Sequence, residues 1–337
     1  MDPVSALKRV AFLLERELAE TYRVRAYRKA AWRLEGLPPA ELESRLRRGT
    51  LAELADVGPK TAAVAMAAAD GGTPKYLAEL EERSTGPLAE GGEEVRSWLR
   101  GDLHVHSDWS DGDSPIREMA HAAIGLGHAY VALTDHSPRL TVAHGLMPER
   151  LREQLDVVAR CNAELAPFRI LTGIEVDILE DGSLDQEPEL LDALDVVVAS
   201  VHSKLRMESA PMTRRMVKAI ASPLVDVLGH CTGRLIAGGR GTRPESAFDA
   251  EIVFEACRQF DVAVEINSRP ERRDPPTRLL ELAHDTGCLF AIDTDAHAPG
   301  QLDFLDYGCA RAQAQGIGED RIVNALGADE FLAWTAS

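Results

Sequence analysis

Residues 101–112 read Gly101-Asp102-Leu103-His104-Val105-His106-Ser107-Asp108-Trp109-Ser110-Asp111-Gly112. The start of this stretch has strand character over 102–106 and ends in two histidines at i and i+2. Alternate residues of a strand point to the same side, so both imidazoles face one place. Asp111 follows in the loop. Further strand candidates lie at 130–135, 170–177, 196–202, 225–230, 263–267 and 289–295. Helical stretches at 115–126, 148–165, 247–260 and 277–286 separate most of them. Such alternation predicts an α/β parallel sheet. Seven strands in about 200 residues suit a barrel with one strand fewer than the eightfold one. An open doubly wound sheet satisfies the same pattern.

The later strands also end in ligand-type residues. The second ends in Thr134-Asp135-His136, and the third contains Gly173-Ile174-Glu175-Val176-Asp177. The fourth ends in Ser200-Val201-His202 and the fifth in Gly229-His230. The seventh ends in Asp293-Thr294-Asp295-Ala296-His297. Six of the ten histidines therefore lie at C-terminal strand ends, which in a parallel barrel converge on one face. Packed as neutral core residues, each would need its own hydrogen-bond partner. Divalent metal ions supply partners for all of them. The candidate ligands are His104, His106, Asp111, His136, Glu175, His202, His230, Asp295 and His297. That set exceeds what one four- to six-coordinate ion uses, so two or three ions are expected, of Zn, Mn or Fe. A single strand-end histidine is more often structural, but five strands each ending in one are not explained that way. His121, His128, His144 and His284 fall on helices or loops and read as surface or packing residues.

These motifs, as an ordered set over about residues 100–335, resemble the PHP (polymerase and histidinol phosphatase) domain. His104-Val105-His106-Ser107, Ser110-Asp111-Gly112, Thr134-Asp135-His136-Ser137 and Gly229-His230-Cys231-Thr232-Gly233-Arg234 carry the likeness, with the strand ends above. The nearest flavour is the C-terminal domain of bacterial family X DNA polymerases. The resemblance implies a distorted seven-stranded (βα)7 barrel with a trinuclear metal centre. It implies that His104, His106, Glu175 and Asp295 hold one ion. Glu175 would bridge to a second, held also by His202 and His230, and Asp111, His136 and His297 would hold the third.

Residues 1–83 read as an all-helical module, 84–98 as a linker and 99–337 as the PHP domain. Leu7, Val10, Leu14 and Leu18 are close to helical spacing over 4–20. Arg23-Val24-Arg25-Ala26-Tyr27-Arg28-Lys29-Ala30-Ala31 resembles the small DNA-end-binding domain of the same polymerases. Leu54-Ala55-Asp56-Val57-Gly58-Pro59-Lys60-Thr61-Ala62 resembles a helix-hairpin-helix, whose backbone N–H groups meet a DNA phosphate. Arg25, Lys29, Gly58 and Lys60 are the candidate DNA contacts. Asp56 departs from the pattern, standing where the first hairpin glycine is expected. The alternative is a module for helical packing or dimerisation. No polymerase palm fits between module and barrel.

Charge separates the halves. Residues 1–100 hold 16 Lys+Arg and 16 Asp+Glu, so the net charge of −18 falls on the remainder. That acidity opposes bulk nucleic acid unless bound cations neutralise the site. Five cysteines, with no CxxC pair, suggest reduced thiols and a cytoplasmic chain. The sequence shows neither a membrane span nor a signal peptide. Together these features predict a metal-dependent hydrolase of phosphate esters. A phosphomonoesterase and a 3′-5′ exonuclease or DNA-end-processing enzyme both fit, and a DNA-binding accessory protein with a retained metal site is the alternative. Arg234, followed by Lys204 and Arg240, is the expected phosphate donor.

Overall fold

The first helix begins where Asp2 can cap it. Its carboxylate accepts the N–H groups of Val4 and Ser5, each at 3.0 Å, and Pro3 supplies a helical φ at the first position. The chain then forms α1 (Pro3–Arg16), α2 (Thr21–Glu35), α3 (Pro39–Arg48), α4 (Pro59–Ala69) and α5 (Lys75–Arg83). Leu7, Val10 and Leu14 of α1 pack with Val24, Ala31 and Leu34 of α2 and with Ala65 of α4. Leu18, expected to continue the apolar stripe, lies beyond α1. It is half exposed, with a left-handed φ of 54°. Between α3 and α4, Asp56 takes φ +63°, the conformation a hairpin glycine would adopt.

This computed structural model describes residues 1–239 and 241–337, in two units, Met1–Pro87 and Leu88–Ser337. Each unit has its own buried apolar clusters. The C-terminal part of the stretch read as a linker is α6 (Glu93–Trp98), whose Val95 belongs to the core of the second unit.

Among the described residues, the second unit carries seven strands. They are β1 (Gly101–Val105), β2 (Tyr130–Leu133), β3 (Arg169–Asp177), β4 (Val196–Ser200), β5 (Val227–Leu228), β6 (Ala263–Asn267) and β7 (Phe290–Asp293). They pair in sequence order, and every pair is parallel. A parallel bridge between Val105 and Ala296 joins the first strand to the segment after β7, and His106 N–H donates to Ala296 O at 2.8 Å. The sheet thus curls into a nearly closed barrel, and the open doubly wound alternative falls away.

Period-two alternation assigns the faces. Leu171, Val196, Val198, Val227, Ala263 and Ala291 share one apolar cluster with Phe331. The residues between them, such as Ile170, Val197, Val264 and Ile292, join clusters that include helical side chains. Two-residue steps along the first face run from Leu171 to Glu175, from Ala263 to Glu265 and from Ala291 to Asp295. The apolar face therefore becomes polar toward the C-terminal ends of the strands. Among the described residues, no helix is long and apolar enough to cross a membrane.

Candidate metal centre

Glu175 lies at the centre of the polar end. Its Oε1 is 2.9 Å from His230 Nε2 and 3.2 Å from His202 Nε2. Its Oε2 is 2.7 Å from His136 Nδ1, 3.4 Å from His104 Nε2 and 3.7 Å from His106 Nε2. Imidazoles from the ends of β1, β2, β4 and β5 thus converge on one carboxylate. On the open side, Asp111 Oδ1 lies 3.4 Å from His136 Nε2 and 3.3 Å from His297 Nε2. Three overlapping groups have ligand atoms within 4.8 Å of one another: His106, Asp111, His136 and His297; His104, His106 and Glu175; His136, Glu175 and His202. Asp295 stands apart from these groups. Its carboxylate lies 3.5 Å from His106 Nε2 and 2.9 Å from Arg272 Nε. Asp295 also holds a left-handed φ of 52°, a strained state of the kind that clusters at functional sites.

Close approach here is not hydrogen bonding. His104 Nε2, His136 Nδ1, Asp111 Oδ1, both nitrogens of His106, His202 and His230, and both oxygens of Glu175 are buried without a hydrogen-bond partner among the described residues. Leaving so many polar atoms unpaired would cost about 1–3 kcal/mol each. Divalent cations match this donor set of neutral imidazole and carboxylate, and so fit the site. Burial raises the Glu175 carboxyl, but His202, His104 and His136 outweigh it and hold it well below the usual carboxylate range. Burial, helped by the neighbouring His297 and His136, holds His106 well below the usual imidazole value.

The loops that carry the candidate ligands are pinned by hydrogen bonds. Asp135 accepts Ser107 N–H at 2.8 Å, Ser107 Oγ–H at 2.6 Å and Gln154 at 2.7 Å, which fixes the start of the Asp111 loop. Gly112 is required there, because a Cβ would lie 2.6 Å from the Ser107 carbonyl carbon.

The expected phosphate donors fare differently. Arg234 donates from Nε to Arg272 O at 2.9 Å and from Nη2 to Arg273 O, and its Nη1 lies 3.4 Å from Glu245. It braces the segment after β6 through these contacts. Lys204 is exposed, 3.9 Å from Glu180. Arg240 lies outside the described residues.

Two buried arginines, Arg269 and Arg272, lie against the candidate ligands His297 and Asp295. Arg269 Nη1 contacts Asp295 O and His297 Nδ1, each at 3.0 Å. Arg272 pairs with Asp295, and its Nη1 has no hydrogen-bond partner among the described residues. Sequence reasoning passed over β6 because that strand ends without a histidine. Its Glu265-Ile266-Asn267, two polar residues at period two, was the available signal.

In the first unit, Gly58 and Lys60 line a groove of about 1000 Å³ together with Tyr22, Arg23, Tyr27 and Tyr76. Tyr27 and Tyr76 stack there at 5.8 Å, and Arg23 donates to Tyr76 Oη at 2.9 Å. Arg25 and Lys29 are exposed on α2 but do not line the groove.

Comparison with known proteins agrees with both units. Residues 102–269 match the PHP domain, and residues 1–73 match a helix-hairpin-helix domain. The DNA polymerase/3'-5' exonuclease PolX of Bacillus subtilis is 39% identical over 249 residues, covering 71% of this chain. The chain spans only 43% of that relative's length. A probable phosphatase of Thermoanaerobacter sp. is 28% identical over 242 residues, covering 66% of this chain and 89% of the relative. Among solved structures, histidinol phosphate phosphatase from Lactococcus lactis, complexed with zinc, L-histidinol and phosphate, aligns with TM-score 0.49 and 18% identity. The alignment covers 65% of this chain and 94% of that one.

Proposed function

Since the chain is a PHP-domain protein with a helix-hairpin-helix domain at residues 1–73, we propose that it is a metal-dependent hydrolase of phosphate esters that acts on DNA 3′ ends. The observation that carries the hydrolase reading is Glu175, with imidazoles from β1, β2, β4 and β5 gathered on its two oxygens and the facing nitrogen and oxygen atoms left without hydrogen bonds. In this reading His104, His106, Glu175 and Asp295 hold one ion. Glu175, His202 and His230 hold a second, and Asp111, His136 and His297 a third. The ions, when bound, supply Lewis acidity for attack of water on phosphorus. Glu175 and Asp295 balance the cationic charge. Arg272, with its unpartnered Nη1, offers a donor to a phosphoryl oxygen, and Arg269 orients His297.

The DNA-end reading is supported by the helix-hairpin-helix domain, by the Lys60 groove and by the similarity to a polymerase and 3'-5' exonuclease. A second reading, a small-molecule phosphomonoesterase, is favoured by the acidity of residues 101–337, which hold the whole net charge of −18. A complete ligand set argues against a DNA-binding accessory protein without activity. The test is hydrolysis by metal-loaded protein of phosphomonoesters against 3′-labelled single-stranded DNA. Release of 3′ nucleotides supports the first reading. Turnover of phosphomonoesters alone transfers the function to the second.

A further inference from the structure

Glu265 is fully buried on β6, and both of its oxygens are engaged. Oε1 lies 2.6 Å from His104 Nδ1. Oε2 accepts the backbone N–H of His230 at 2.5 Å and Asn267 Nδ2–H at 3.2 Å. We infer that Glu265 is a positioning residue for two metal ligands at once, locking the His104 ring with its proton on Nδ1 and holding the strand end that carries His230. The inference rests on the metal-centre reading above.

A carboxylate at 265 is acceptor-only, so the nitrogen facing it must carry the proton. With Nδ1–H turned to Glu265, the lone pair of His104 Nε2 faces Glu175, 3.4 Å away. A carboxylate behind a metal-binding imidazole fixes its tautomer and raises its basicity, and losing such a partner typically costs about 10–100-fold in metal affinity. Glutamine is nearly the same shape but has one acceptor end and one donor end. With its oxygen toward His104, its NH2 meets the His230 N–H head-on. Turned the other way, its NH2 donates to His104 Nδ1, forcing the proton onto Nε2, where a ligand lone pair is needed. Either orientation harms one ligand. The two ligands lie far apart in the chain, on β1 and after β5, so a single carboxylate couples two of the proposed ion positions.

The test is chelator competition for zinc and manganese by the unmodified chain and by Glu265→Gln. The expected result is an affinity loss of about 10–100-fold, with the thermal melt of the metal-free protein little changed. A packing role alone would lower the melt and leave the affinity in place. Nitrogen NMR of zinc-loaded, 15N-histidine-labelled unmodified protein gives an independent reading, which stands even if Glu265→Gln does not fold. It should show His104 protonated at Nδ1 and bound through Nε2. Unchanged affinity in a folded Glu265→Gln protein, or a His104 proton on Nε2, overturns the inference while leaving the metal centre intact. Uptake of one ion or fewer by the unmodified chain overturns the metal-centre reading itself, and this inference with it.

Discussion

Glu175 is the residue on which the proposed chemistry depends most. Its two oxygens meet five imidazoles within 3.7 Å, so one uncharged replacement alters every approach at once. Glu175→Gln should cut hydrolysis by about 100-fold or more and lower the metal content, with the fold retained. Initial rates and elemental analysis check this, and near-normal rates would remove Glu175 from the ligand set. At the other end of the chain, Asp56 holds φ +63° in the hairpin and places a negative charge beside Gly58 and Lys60. Asp56→Gly relieves a left-handed conformation that costs about 1 kcal/mol in most side chains, and removes the charge. DNA affinity should rise, with a steeper dependence on salt. Fluorescence anisotropy at two salt concentrations measures both. Unchanged affinity would mean that the hairpin does not approach phosphate.

At the scale of elements, each strand brings an apolar row that ends in polar residues, and the loops beyond hold those residues still. The ends of β1, β2, β4, β5 and β7 were legible because a terminal histidine is a local signal, and β3 because its carboxylates Glu175 and Asp177 stand at period two. The end of β6 was not, because a glutamate and an asparagine on a strand suggest no ligand until a neighbouring strand is known. The partners of Arg234 were not legible for a related reason. Its distance in sequence from His230 says nothing about the carbonyls of Arg272 and Arg273, which it meets only after the segment following β6 folds back. Just before β5, Asp226 Oδ2 accepts Val197 N–H at 2.7 Å, and burial pushes its pKa from 3.8 up to about 7. The folded state therefore binds this proton more tightly than the unfolded chain. The resulting stability is fully present below about pH 4 and is lost as pH rises through 7. Asp226→Asn has no charge to bury and keeps an acceptor for Val197. Its melting temperature should exceed that of the unmodified protein at pH 8, and the difference should vanish near pH 4. A constant difference across that range would rule out the carboxyl as its source.

Considered whole, the chain has two units with separate apolar cores, and all nine candidate ligands lie in the second. Deleting residues 1–87 should leave hydrolysis of a small chromogenic phosphoester intact. DNA binding should fall, and the lost part should be the salt-sensitive part, since phosphate contacts release counterions. Equal DNA binding by the full and shortened chains would leave the first unit as a packing or dimerisation module. The amino-acid sequence by itself determined the α/β class, the helical N-terminal unit and the gathering of His104, His106, His136, His202, His230 and His297 at strand ends. Those properties depend on spacing along a single segment, with period two in strands and near 3.6 in helices. Only the tertiary structure decided that the sheet curls into a nearly closed barrel, that Glu265 faces both His104 and the His230 backbone, and that Arg272 stands beside Asp295. Each of these joins groups on different strands or loops, and their meeting is set by how the barrel curls, which no local spacing records.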